Sequence, residues 1–129
     1  RRHFFDNLPA FRTLRDKVTR AAGRGFLKGL DGRKVFVRSE HAALNTLLQS
    51  AGALVMKQGL VLYDKALSNF DATFVANVHD EWQLEAHESC AIEVGELGVD
   101  CIRRAGEVFE LACPLDGEYK IGANWSETH

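Results

Sequence analysis

Two adjacent carboxylates, Asp80 and Glu81, follow His79 between two apolar, β-prone segments. Aspartate is disfavoured in strands, and neighbouring carboxylates repel each other unless a cation joins them. A hard divalent ion such as Mg²⁺ is bound by carboxylate oxygens and keeps several waters, which leaves it open to a phosphate-bearing substrate. The triplet therefore predicts a Mg²⁺ site with Asp80 and Glu81 as ligands. A solvated turn is the alternative, because turns are rich in aspartate.

Strand geometry limits what this pair of carboxylates can do alone. Successive side chains of a strand point to opposite faces, so Asp80 and Glu81 are not expected to hold one ion tightly together. A two-metal phosphoryl-transfer site needs at least one further carboxylate. The remaining aspartates of this part of the chain have the context of surface or turn residues: Asp64, Asp71, Asp100 and Asp116. The chain is therefore expected to supply part of such a site.

The triplet is predicted to lie at the tip of a β-hairpin. Alternation of apolar and polar residues predicts strands over 72–78 and 82–86, on either side of it. A helix is predicted over 88–106, acidic at its start and basic at its end, as the helix dipole favours. Residues 109–113 are predicted to form a final strand. The tail, 114–129, lacks periodicity but ends with aromatic and polar residues that can dock.

The N-terminal third is predicted to form a helix and a second hairpin. The helical spacing over 4–22 contains Pro9, so this helix is expected to begin or bend there, and to end at Gly23 and Gly25. An Asp-Gly pair between two short β-prone runs predicts a hairpin over 26–38.

The longest helix is predicted over 40–68, with Ser39 as its N-cap. Asn45, Gln49 and Gly52 share one face at positions i, i+4 and i+7. That face carries amides and bare backbone, where a surface helix more often carries Lys and Glu. A binding face is one interpretation, and two ordinary, partly buried amides are the other. The predicted apolar stripe consists of Leu44, Leu47, Leu48, Ala51, Leu54, Val55 and Leu62.

Charge is distributed unevenly along the 129 residues, although the net charge is only −2. Residues 1–38 hold eleven Lys/Arg and three acids, a net charge of +8, whereas residues 39–129 carry −10. A basic segment before an acidic body is the pattern of a phosphate-facing arm on a metal-binding body. Two solvated surfaces that attract each other would show the same pattern.

Composition predicts a globular chain of the cytosol. No run of 18 apolar residues predicts a membrane span, and the N-terminus lacks the apolar region of a signal peptide. Cys90, Cys101 and Cys113 are odd in number and form no Cys-x-x-Cys pair, so they are interpreted as small buried hydrophobes. The predicted fold class is α+β: one domain over 1–129, with a small antiparallel sheet packed on one long helix and shorter helices.

Several of these segments resemble DNA polymerase family A, the polymerase I type, and closely resemble the replicative polymerases of podophages, which belong to it. The resemblance is carried by residues 29–35 (GLDGRKV) and 41–53 (HAALNTLLQSAGA). Motif C of the family is a hairpin reading Val-His-Asp-Glu, which residues 78–81 match. Residues 114–125 and the terminal His129 resemble the family's C-terminal end. The similarity covers nearly the whole chain, with the motifs in the family's order.

The resemblance implies a role for each candidate residue. Asp80 would be the motif C aspartate that binds the catalytic Mg²⁺ pair, Glu81 its supporting carboxylate, and His79 would lie beside the primer terminus. Asn45 and Gln49 would line the cleft floor and touch the minor-groove edge of the primer-template DNA. The basic side chains of Arg33, Lys34 and Arg38 would lie near the duplex backbone.

The resemblance also implies how the chain divides within a polymerase palm. Residues 1–25 would follow the fingers helix, 26–38 would be a hairpin, 40–68 the long helix, 72–86 the motif C hairpin, and 88–129 a helix and C-terminal tail. The family's motif A aspartate and the fingers residues of motif B, which hold the incoming deoxynucleoside triphosphate, have no matching pattern here.

Three functions follow as hypotheses. The leading one is the C-terminal part of a DNA-directed DNA polymerase, a nucleotidyltransferase of phage or prophage DNA replication, inactive until a second chain supplies motifs A and B. The alternative is a non-catalytic relic or a DNA- or protein-binding module. The third is a free-standing metal-dependent nuclease. Apolar faces left uncovered in this piece predict self-association.

Overall fold

The computed structural model describes residues 7–128, which form two compact units that divide between Gly52 and Ala53. The first unit holds α1 (Pro9–Ala22), β1 (Phe26–Lys28), β2 (Lys34–Phe36) and the start of α2 (Ala43–Leu67). The second holds the rest of α2, β3 (Ala72–Val78), β4 (Glu81–Ala86), α3 (Ala91–Val108) and α4 (Trp125–Thr128). The predicted α+β class is confirmed, with two two-stranded antiparallel sheets among these residues. One domain over 1–129 remains a prediction.

Helix α1 begins at Pro9, because proline fits the first helical position, where its missing N–H needs no partner. The part of the predicted helix over 4–6 lies outside the described residues. The buried side of α1 contributes to the core of the first unit, and its Arg and Lys side chains lie on other faces. This core contains Val18, Ala22, Leu27 and Ala43. The helix ends at Ala22, as the two following glycines predicted.

The hairpin predicted over 26–38 is confirmed as β1–β2, which pair antiparallel. Its loop is three residues long, since the Gly29 amide donates to the Arg33 carbonyl at 2.8 Å. Gly32 closes the loop with φ +83°, a backbone conformation that costs glycine nothing. The Asp-Gly pair therefore places glycine at the left-handed position that a three-residue hairpin loop requires.

The long helix differs from its prediction in three details. It begins with a short 3₁₀ turn, Glu40–Ala42, and becomes α-helical at Ala43. Ser39 has the extended backbone of an N-cap, but its side chain makes no capping hydrogen bond to the described residues. Leu48 was predicted to belong to the apolar stripe and is 53 % exposed. It lies three residues after Asn45, so it shares that residue's open face.

Tyr63 of α2 is the central residue of the core of the second unit. It is 2 % exposed, and its hydroxyl donates to the Val94 carbonyl of α3 at 2.5 Å. Its ring meets Phe74 of β3 edge-on, with the ring centroids 5.4 Å apart. Burial raises the pKa of Tyr63 to about 12, because the phenolate would lose its water. The buried members of this core are Tyr63, Leu67, Val94 and Cys101.

Close approach of other side chains explains the glycines of α3 (Ala91–Val108), the helix predicted over 88–106. The ring of Tyr63 lies against Gly98, where a Cβ would meet its Cε1 at 3.0 Å. Tyr119 of the tail lies where a Cβ of Gly95 would be, so the expected docking of the tail is confirmed at this residue. Leu115 approaches Gly106 in the same way.

The strand predicted over 109–113 is wrong. The amide of Leu111 donates to the Gly106 carbonyl at 3.1 Å, and the amide of Glu110 donates to the Glu107 carbonyl at 2.9 Å. With Glu110 at φ +51°, these bonds form a Schellman motif, which occupies the backbone groups that a strand would need. Cys113 is exposed rather than buried, whereas Cys101 is buried and Cys90 half-buried.

A search of the helices within residues 7–128 finds none with the length and apolar character to cross a membrane.

Candidate functional site

The predicted triplet lies at the tip of the β3–β4 hairpin. Val78 pairs with Glu81, so His79 and Asp80 form a two-residue turn. His79 has φ +55°, whereas Asp80 does not have a positive φ. A positive φ at the first position of a two-residue hairpin turn matches the twist of the flanking strands and is usual for glycine, asparagine or aspartate. A histidine there is strained, so the surrounding structure must hold the turn in place.

The two carboxylates differ in environment. Asp80 is exposed in the turn, and Glu81 is half-buried as the first residue of β4. Glu81 accepts a hydrogen bond from the side-chain amide of Gln83, two residues on and therefore on the same face of the strand. Because Asp80 belongs to the turn, the expectation that adjacent strand positions separate the two side chains does not apply to it. Gln83 is a hydrogen-bond partner of Glu81 that sequence reasoning missed.

Trp82 anchors the hairpin to the second core. Its ring lies 5.5 Å from that of Tyr63, centroid to centroid, and it packs over Gly59 of α2. A Cβ at Gly59 would lie 2.7 Å from Cη2 of Trp82, so only glycine allows this approach. The sequence contains one signal of it, since an isolated glycine in a helical pattern often has a packing reason.

The indole nitrogen of Trp82 is buried and has no hydrogen-bond partner among the described residues. A buried N–H without a partner costs about 1–3 kcal/mol. The ring burial that holds the β3–β4 turn in place offsets that cost.

An apolar groove lies between α2 and β3, beside an irregularity in the register of β3. The register shifts between Phe74 and Ala76, so that Val75 is bulged and 66 % exposed. Phe74 faces the core, while Val75 and Val61 of α2 lie in the groove, which has a volume of about 390 Å³. Its lining residues are Leu60, Val61, Asp64, Lys65, Phe74, Val75, Ala76 and Asn77. Bulges of this kind occur often beside functional sites.

The residues predicted to contact DNA lie in the first unit. Asn45 and Gln49 are exposed one helical turn apart on α2, and nothing lies within 4 Å of a Cβ built on Gly52. The amides therefore lie on an open face, not in the partly buried setting of the alternative interpretation. Arg33 is ion-paired with Asp31, and this contact lowers the pKa of that carboxyl. Arg38 is exposed.

Asp80 and Glu81 would provide only part of the ligand set of a metal ion. Asp80 and Glu81 offer hard carboxylate oxygens, which suit Mg²⁺. Across residues 7–128, no three His, Cys, Asp or Glu side chains cluster as a metal site. The residues present fit one side of a coordination sphere, with further ligands required from elsewhere.

Comparison with known proteins gives a consistent result. Residues 2–127 match the family model of DNA polymerase family A. The DNA-directed DNA polymerases of Enterobacteria phage T3 and Escherichia phage T7 are 40 % and 39 % identical over the full chain. DNA polymerase I of Aquifex aeolicus is 31 % identical over 98 % of it. The chain spans about a fifth of these relatives: 22 % of each phage protein and 23 % of the bacterial one.

A solved structure shows the same fold. The POL domain of Pol1 from M. smegmatis, in complex with DNA primer-template and dNTP, aligns with 79 % of the chain at a TM-score of 0.71. The chain covers 21 % of that structure at 23 % identity, so this likeness concerns the fold alone.

Proposed function

Because the chain belongs to DNA polymerase family A, we propose that it is the C-terminal palm part of a DNA-directed DNA polymerase and supplies motif C. The observation that carries the proposal is the β3–β4 hairpin, where Asp80 and Glu81 meet at a turn held by a buried core. The phage and bacterial relatives favour DNA replication in a bacterial host or phage-infected cytoplasm.

Asp80 and Glu81 are the residues that would hold Mg²⁺. Two divalent ions in such a site stabilise the attacking and leaving oxygens of phosphoryl transfer. The exposed Asp80 is the direct ligand, and Glu81, oriented by Gln83, is the supporting carboxylate. His79, in the same turn, would lie beside the primer terminus.

Asn45 and Gln49 are proposed to contact the minor-groove edge of the primer-template. Acceptors on that edge are similar for all base pairs, so amide donors check pairing geometry without reading sequence. The exposed face of α2 that carries both amides supports this role. Arg33, Lys34 and Arg38 would lie near the duplex backbone, where contacts position the DNA without specifying sequence.

A second chain is proposed to complete the enzyme. It would bring motifs A and B, and the deoxynucleoside triphosphate would bind only in the complete polymerase. Exposed Val61 and Val75, in the groove beside β3, support the docking of another chain, because exposed apolar surface favours association. Without that chain, self-association through the same surface is expected.

Primer extension tests the proposal. The chain is assayed with Mg²⁺, nucleotides and a primer-template, alone and then mixed with a separately produced fragment that carries motifs A and B. We expect activity only in the mixture, and none with Asp80→Ala. Glu85→Ala is the matched control, because Glu85 is an exposed acid of the same hairpin, away from the turn, and should leave extension unchanged.

A second variant tests the positioning of Glu81. Gln83→Ala should raise the Mg²⁺ concentration for half-maximal extension about 10- to 100-fold, the usual effect of removing a residue that orients a metal ligand. Extension that is lost at every Mg²⁺ concentration would contradict a positioning role. Activity in neither preparation would reassign the chain to a non-catalytic relic or binding module, and Mg²⁺-dependent DNA cleavage by the chain alone would favour the nuclease.

A further inference from the structure

The outer face of the β1–β2 hairpin carries, beside Lys34, two aromatic rings that neither motif C nor the proposed duplex contacts use. Residues in register share a face, so Leu27 and Val35 lie on one side, and the Phe26–Phe36 and Lys28–Lys34 pairs lie on the other. The first side faces the core of the first unit, since Leu27 is 3 % exposed. The second side is therefore a surface of two aromatic rings beside two ammonium groups.

Fold stability does not explain this surface. Like charges directly opposite each other destabilise an antiparallel pair, and Lys28 and Lys34 are directly opposite. Phe36 is 77 % exposed, so its ring contributes little burial. Local features that work against the fold are expected at functional positions. The pairing therefore points to a ligand that carries negative charge and a flat apolar group.

The surrounding charge favours the same ligand. Residues 24–38 contain five Lys/Arg and one acid, Asp31, which is ion-paired with Arg33. The Lys34 ammonium lies 4.7 Å from the centre of the Phe26 ring, and the Arg24 guanidinium lies 5.9 Å from it. Two cations thus lie over the Phe26 ring, beside the exposed ring of Phe36, at positions where they can also meet phosphates.

We propose that this outer face, defined by Phe26, Phe36, Lys28 and Lys34, binds a single-stranded nucleic-acid segment. One base stacks on Phe36, and the adjacent phosphates lie on Lys28 and Lys34. Aromatic side chains between cations are the general means of holding single strands, because every base has a stacking face that a duplex hides. This contact goes beyond primer extension and requires neither metal ion, nucleotide nor second chain.

Binding of fluorescent oligonucleotides to the full chain tests the proposal. A twelve-residue oligothymidine is the single-stranded probe, and a blunt duplex of the same number of phosphates is the comparison. Phe36→Ala should weaken oligothymidine binding about 5- to 150-fold, the usual range for one stacked base, and change duplex binding little. Ile92→Ala, a truncation of another exposed apolar residue, is the matched control and should change neither.

Salt dependence separates stacking from charge. The double variant Lys28→Gln, Lys34→Gln should lower the slope of log affinity against log salt by about 1.4, because each neutralised phosphate of a single strand contributes about 0.7. Phe36→Ala should leave the slope unchanged. Lys120→Gln is the control for general charge, since Lys120 is an exposed cation of the tail.

Two results would overturn the proposal. Equal loss of single-strand and duplex binding in Phe36→Ala would assign the face to duplex DNA. Unchanged oligonucleotide binding, together with weaker complementation by the motif A and B fragment, would show that protein covers Phe36. Because the binding assay omits nucleotide and partner, its outcome is independent of whether the chain supports primer extension.

Discussion

The molecule contains two antiparallel hairpins that differ in where their aromatic residues lie. In β3–β4, Trp82 packs on Tyr63 and Gly59, and the turn passes through the strained His79. In β1–β2, Phe36 is exposed and the loop uses Gly32, which adopts a positive φ without strain. The strained turn of β3–β4 is therefore held by an aromatic side chain packed on the core, whereas the exposed aromatic ring of β1–β2 contributes little to stability and is free for the proposed contact.

The largest expected difference comes from removing one aromatic ring from each hairpin. Trp82→Ala should lower the free energy of unfolding of the second unit by about 3–5 kcal/mol, because a large side chain is lost from a packed core. Phe36→Ala should change that of the first unit by less than about 0.5 kcal/mol, since its ring is exposed. Urea unfolding followed by amide hydrogen exchange measures both. Equal losses would contradict the comparison.

Two glycines of α2 also differ in whether a side chain packs against them. Gly59→Ala places a Cβ against Trp82 and should destabilise the second unit by about 1–3 kcal/mol through overpacking. Gly52→Ala meets open space and should stabilise its helix by about 0.5–1 kcal/mol, because alanine loses less backbone entropy. Thermal unfolding of the two variants should therefore shift in opposite directions. A Gly59→Ala protein as stable as the parent would mean that Trp82 can move aside.

Alkaline pH should weaken the core beneath β3–β4 specifically. The pKa of Tyr63 is raised from 10.0 to about 12, mainly by burial, so the folded state favours the neutral phenol. This contribution is fully present below pH 10, the unfolded value, and is lost as the pH rises towards 12. Hydrogen exchange of β3 and β4 amides should accelerate in that window. Tyr63→Phe should remove this added pH dependence, and an unchanged profile would contradict the assignment.

The smallest expected effects concern the two turns. Gly32→Ala should cost about 1 kcal/mol, because a side chain is strained at φ +83°. His79→Gly should stabilise the β3–β4 hairpin by about 0.5 kcal/mol by relieving strain. In the complementation assay, the same change should lower primer extension if the histidine lies at the primer terminus. Thermal unfolding compares the variants with the parent, and a destabilising His79→Gly would mean that the imidazole holds the turn.

Much of the fold could be predicted because its signals are local. The Asp31-Gly32 pair marked the first hairpin, and Pro9 marked the start of α1. The alternation around the His-Asp-Glu triplet marked β3 and β4, with an error of one residue at Glu81. The strand over 109–113 was wrong because Glu110 adopts a left-handed conformation, which propensity disfavours for glutamate and only the hydrogen bonds of the helix end reveal.

The candidate site also combines features that the sequence determined with features that only the tertiary structure decided. By itself, the sequence determined the types and order of the chemical groups, from the amides Asn45 and Gln49 to the carboxylates Asp80 and Glu81. Only the tertiary structure decided that those amides are exposed, that Trp82 approaches Gly59, and that Phe36 lies outside any core. The physical reason is the distance along the chain over which each effect acts. Turn and strand preferences act over a few residues, whereas packing joins side chains that are far apart in the chain and depends on their shapes.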